Sequence, residues 1–166
     1  MENIQTYFRA ERAESLVFLV IGLLTLVAGI YFLISVKKPF YMGIAWPLII
    51  IALIQLFVGG AVFVRSPKDI VHVEKMVSAN QNVIATEEIP RMETVMKNFI
   101  IYRWVEIILA AAGLILILTQ SSGSMSKGIG TGLFLQSLLM LVADYFATKR
   151  GHTYLAWLQE LVKRGN

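Results

Sequence analysis

The sequence predicts an all-α integral membrane protein, a four-transmembrane-helix bundle with both termini inside and amphipathic cytoplasmic helices. Three observations predict it. Hydrophobic residues make up 57% of the 166 and charged residues only 16%, a balance outside the range of soluble domains of this size. Four apolar runs, 15–36, 41–64, 98–120 and 127–148, are each long enough to cross a hydrocarbon core of roughly 30 Å. Basic residues gather on one side of those runs: Arg9, Arg12, Arg65, Lys68, Lys75, Arg91, Lys97, Lys149, Arg150, Lys163 and Arg164 against Lys37, Lys38 and Lys127. Under the positive-inside rule both ends and the 65–97 connection are cytoplasmic, and two short loops lie outside.

Taken in order, residues 1–14 are polar with Ile4, Phe8 and Ala13 interleaved and predict a short helix leading into the first span. That span exceeds the apolar core of a signal peptide, and no small-x-small cleavage pattern follows it. Lys37-Lys38-Pro39 breaks the chain, and Phe40, Tyr41 and Trp46 supply interfacial aromatics at the start of the second span. Arg65-Ser66-Pro67-Lys68-Asp69 predicts a stop and restart, with Ser66 as cap, Pro67 at the first helical position and Asp69 completing a capping box. The helix that follows is amphipathic through Ile70, Val73, Met76 and Val77. Residues 78–82 predict a turn, and Thr86 with Glu87 and Glu88 a helix start that continues through Pro90 into the third span. After a small polar loop, Gln120–Ser126, the fourth span ends at Lys149-Arg150-Gly151, and an amphipathic helix occupies the remaining 150–166.

A weak internal duplication accompanies this outline. At an offset of 85, Gly43 meets Gly128, Ile44 meets Ile129, Leu48 meets Leu133 and Arg65 meets Arg150; further on, Val73 meets Leu158 and Val77 meets Val162. Two halves of two spans each share one orientation, so their relating axis would run along the membrane normal.

Small and polar residues recur at spacings of three and four on one face of each span, where they let helices approach closely in lipid. Thr25, Gln55, Glu106, Gln136 and Ser137 fall near a common depth and predict a buried polar cluster or a proton or cation site. A deep carboxyl costs several kcal/mol when ionised, so Glu106 is expected to be neutral and hydrogen-bonded to Gln55 or Thr25, or functional. Arg103 and Asp144 lie nearer the cytoplasmic boundary on neighbouring spans and predict an intramembrane ion pair.

Other chemistry finds little footing. The chain has no cysteine, which removes disulfides and thiol nucleophiles. His72 and His152 are isolated, so neither a metal site nor a Ser-His-Asp triad is predicted, and no cofactor is called for. Gly128-x-Gly130-x-Gly132 precedes an apolar helix with no strand before it and is read as packing. Basic residues flank spans without clustered stacking aromatics, which sets nucleic acid aside. Rotary-ATPase proteolipids share the four spans and a mid-span Glu, but they carry short loops and the Glu in the last span, so no family is assigned. The expectation is a non-enzymatic helix-bundle subunit or binding partner at the cytoplasmic membrane surface. Its partners are the lipid bilayer and either a second copy or a membrane protein met through 67–98 and 152–164. The alternative is a small oligomeric proton- or cation-coupled transporter or channel using Glu106.

Overall fold

In a computed structural model, which describes residues 2–79 and 81–165, the chain is all-helical. The helices are α1 (Glu2–Tyr31), α2 (Pro39–Ala79), a short α3 (Gln81–Val83), α4 (Ile89–Thr119) and α5 (Met125–Gly165). π-helical turns at Phe32–Val36 and Ile84–Glu88 extend α1 and lead into α4. Four of these helices are long and apolar enough to cross a membrane. At 1.5 Å per residue they measure roughly 50–60 Å, so each outreaches a hydrocarbon core of about 30 Å. The start of α1, the end of α2, the lead into α4 and the end of α5 share one end of the bundle, and the two hairpin loops after α1 and α4 lie at the other. The break at Lys37 occurs where its sequence predicts it: the residue takes the left-handed conformation (φ 50°) and its N–H donates to the Phe32 carbonyl at 3.2 Å, closing the π turn before Pro39 restarts the chain.

Three other predicted boundaries are not breaks. α2 runs unbroken through Pro67, whose interior position costs about 3 kcal/mol by propensity. Contacts with α1 outweigh that cost. Ser66 is fully buried, with its hydroxyl 2.8 Å from the Val62 carbonyl and 2.9 Å from Glu11 Oε2, while Arg65 bonds Asp69 at 2.8 Å and reaches Glu11 at 3.4 Å. Thr86 does not cap α4 either; its hydroxyl donates back to the Asn82 and Val83 carbonyls within the π turn. Gly151 does not separate a last helix from the fourth span, because α5 is continuous there. A Cβ at that position would stand 2.7 Å from Met96 Sδ, so the glycine permits close packing on α4.

The helices pack in the order α1, α2, α5, α4: α1 lies on α2, α2 on α5 and α5 on α4, while α1 touches α5 only slightly and meets α4 through side chains at the polar end, where Arg91 lies over the Phe8 ring. The duplication visible in the sequence reappears in these contacts. A Cβ on Gly43 would collide with the Met125 carbonyl and the Ile129 nitrogen, and a Cβ on Gly128 with the Phe40 carbonyl and the Ile44 nitrogen, each partner displaced by 85 positions. Reciprocal contacts of this kind define a two-fold relation. The outer helices obey it at an offset of 84. Gly29 is crowded by the Ala45 carbonyl and Ile49, and Gly113 by the Gly130 carbonyl and Phe134, again at equivalent positions. Buried positions match as well: Phe8 with Met92, Gly22 with Glu106, Ala52 with Ser137 and Val73 with Leu158.

Beyond the apolar segments, the end carrying the termini closes on its own core of Ile4, Tyr7, Phe8, Val73, Met76, Ile84, Met92, Tyr154 and Leu158. Each such side chain contributes on the order of 1.5–3 kcal/mol by burial. The same helices point His72, Lys75, His152 and Lys163 outward.

Substituting Leu for Gly43 or for Gly128 is expected to destabilise the fold by about 1–3 kcal/mol, to a similar degree at both sites, by forcing the backbones apart. Gly60→Leu serves as control, since nothing lies within 4 Å of a Cβ there. Unfolding in detergent titrations followed by circular dichroism measures all three, and stability retained in both interface variants would refute the glycine contact.

Candidate functional site

Glu106 follows the seven-residue spacing of Met92, Phe99 and Gly113 on α4, which turns it toward α5. It is 4% exposed, and neither carboxyl oxygen has a hydrogen-bond partner among the described residues. Because Gly113 abuts Gly130 and Phe134 and the two helices are antiparallel, Glu106 falls opposite Ser137, one heptad along. The Ser137 hydroxyl is likewise buried and without a partner. Its neighbour Gln136 points elsewhere: successive residues on a helix are turned by about 100°, and Gln136 Nε2 donates to Gln55 Oε1 on α2 at 3.4 Å. Gly22 on α1 makes room for this pair, with its absent Cβ only 3.3 Å from Gln55 Cβ.

The five residues expected to form one cluster therefore divide. Gln55 and Gln136 meet in the α2–α5 seam, and Glu106 and Ser137 share the α4–α5 seam. Thr25 belongs to neither, as its hydroxyl donates to the Ile21 carbonyl of its own helix at 2.7 Å. Glu106 makes no hydrogen bond to Gln55 or Thr25: α4 packs along α5 and meets α1 and α2 in the core around Phe8, Val73 and Met92, away from this depth. The predicted Arg103–Asp144 ion pair is also not closed, with no contact within 4 Å among the described residues. Arg103 Nη2 instead donates to Thr148 Oγ1 at 3.4 Å, one turn beyond Asp144 on the same face of α5 and nearer the polar end. That direction is the one in which a long cationic side chain extends from an apolar span. Asp144 Oδ2 is buried without a partner.

Comparisons with family models, curated proteins and solved structures return no match to this chain. Function therefore rests on the geometry. Two carboxyls, Glu106 and Asp144, are placed on one seam with oxygens that no protein donor satisfies, an arrangement able to hold protons or a cation. No group of three or more His, Asp or Glu is placed to hold a metal ion among the described residues.

A second polar group, at the end carrying the termini, has no precedent in the sequence reading. Glu88 is 2% exposed and accepts two 2.7 Å bonds from Arg91 and one of 3.1 Å from the Tyr154 hydroxyl. Tyr154 stacks on Tyr7 at 4.2 Å, and Arg150, paired with Glu14, lies 5.6 Å over the Tyr7 ring. The Glu88–Arg91 spacing was a readable signal of a helical pair. The tyrosine, 66 residues from Glu88, was not.

Burial, reinforced by the Glu11 charge, pushes the Tyr7 hydroxyl from 10.0 up to about 12. A raised folded-state value means that the stability present below pH 10 is lost as pH climbs through 10 toward 12. That loss amounts to about 3 kcal/mol for two units. Tyr154 shifts in the same direction through burial and Glu88. Melting temperatures measured across this range should fall less steeply for Tyr7→Phe than for the parent, and parallel curves would contradict the assignment.

Proposed function

We propose that the protein is a non-enzymatic, multi-pass membrane protein that serves as a helix-bundle subunit or binding partner at the cytoplasmic membrane surface. The basic residues around 1–14, 65–97 and 149–164 support a topology with both termini inside. One observation carries the reading. The apolar faces of 2–14, 67–79, 84–98 and 150–164 are consumed in a shared core, which leaves a polar surface with exposed Lys68, His72, Lys75, Lys149, His152 and Lys163. A basic surface beside a bilayer suits acidic segments of a protein partner and anionic headgroups, each cationic residue near the surface contributing about 1 kcal/mol. A photo-crosslinking residue placed at Lys75 or Lys163 in native membranes should give discrete protein adducts, whereas the same probe at lipid-facing Phe57 should not. Identical patterns at all three positions would remove the proposal.

One observation favours a second reading, an oligomeric proton- or cation-coupled transporter or channel using Glu106. Its two carboxyl oxygens are buried and unpartnered, a state that costs on the order of several kcal/mol unless a proton, a cation or another subunit answers it. In proteoliposomes, ion or proton flux should be lost in Glu106→Gln and partly kept in Glu106→Asp. Full flux in the Gln variant ends this reading.

A further inference from the structure

We propose that the groove between α1, α2 and α5 binds a lipophilic cation, an apolar body carrying one positive charge. The cavity measures about 640 Å³, within the range of small-molecule sites. It exists because α1 and α5 barely touch, so it opens sideways toward the surrounding lipid. Its walls include Phe18 and Ile21 from α1, Val58 from α2, and Leu139 and Phe146 from α5. Phe99 of α4 reaches it as well, so three phenylalanine rings are available to a delocalised cation.

Charge decides what occupies it. The ionisable lining residues are Glu11, Glu14, Asp144 and Arg150, three acids against one base. Arg150 is committed to Glu14, and Glu11 to Ser66 and Arg65. Asp144 retains a buried oxygen without a partner, and Arg103, the nearest candidate, is bonded to Thr148. An anionic headgroup would meet three acids against one arginine that already pairs with Glu14, and a bare acyl chain would leave Asp144 unanswered. A quaternary or phosphonium cation answers the charge and needs no hydrogen-bond acceptor of its own.

The two-fold relation supplies an independent reason. The positions equivalent to Glu11, Glu14 and Asp144 in the other half are Val95, Asn98 and Gly59, whereas Arg150 corresponds to Arg65. The scaffold is duplicated and the acids are not. Glu11 and Glu14 answer Ser66, Arg65 and Arg150, so Asp144, at the position of Gly59 in the other half, is the acid whose buried oxygen no protein contact accounts for.

This assignment names a ligand for the binding-protein reading and shares with it the premise that the helices lie in a bilayer. The test uses tetraphenylphosphonium and the full chain in phosphatidylcholine nanodiscs, with binding measured by equilibrium dialysis. Saturable binding is expected, weakened about tenfold or more in Asp144→Asn and abolished in Val142→Trp, a groove-lining substitution at an exposed position. Gly60→Leu, outside the groove lining and with nothing within 4 Å of a Cβ, should bind normally. Tetraphenylborate, of the same shape and opposite charge, should not compete. Equal binding of the borate, as a simple apolar or acyl-chain site would give, overturns the proposal; so does unchanged phosphonium binding in Asp144→Asn or Val142→Trp. Crosslinks at Lys75 and Lys163 are independent of both outcomes, so loss of this ligand and loss of the partner surface are told apart.

Discussion

Two backbones meeting at Gly43 and Gly128 hold this structure together. Lipid tails are as apolar as leucine, so helices in a bilayer gain little by hiding apolar faces from one another. What they gain comes from close van der Waals approach, and α2 and α5 achieve it only where a Cβ is missing from both sides of the contact. Since the two helices run parallel and meet at equivalent positions, the contact makes the whole arrangement a pair of related hairpins. α1 and α4 are then held at the edges, each packed on its own hairpin partner through Gly29 and Gly113.

Charge breaks that symmetry in a consistent way. Where α1 carries Leu19 and Gly22, α4 carries Arg103 and Glu106, and where α2 carries Gly59, α5 carries Asp144. The α1–α2 seam is thus closed by small and apolar residues, and its counterpart carries Arg103, Glu106 and Asp144, of which Glu106 is buried. Desolvation opposes such placement, so a purely structural pressure would have favoured the first pattern in both halves. The second hairpin carries the charged groups, and the first keeps the register it departs from.

Continuity of the helices joins this interior to the surface. None of α1, α2, α4 or α5 stops at the edge of its apolar segment; each runs on into the layer around Tyr7, Phe8 and Tyr154. Glu88, Arg91 and Tyr154 tie the start of α4 to the end of α5 there, and Gln5 donates to Glu74 at 2.9 Å between α1 and α2.

From the sequence alone came the number of helices long and apolar enough to cross a membrane, the break at Lys37-Lys38-Pro39, the loop after Gln120, and the faces bearing small and polar residues. All of these depend on hydropathy and periodicity among chain neighbours, which the bilayer reads segment by segment. Local signals misled at Pro67, Thr86 and Gly151, where tertiary contacts outweighed a propensity of about 3 kcal/mol or less. Only the tertiary structure decided that Gln136 and Ser137 serve different seams, that Thr25 stands apart, that Arg103 reaches Thr148, and that Tyr154 meets Glu88. Those facts follow from which helix lies beside which, and that order is chosen by close packing between segments far apart in the chain, on which the spacing of residues within any one helix has no bearing.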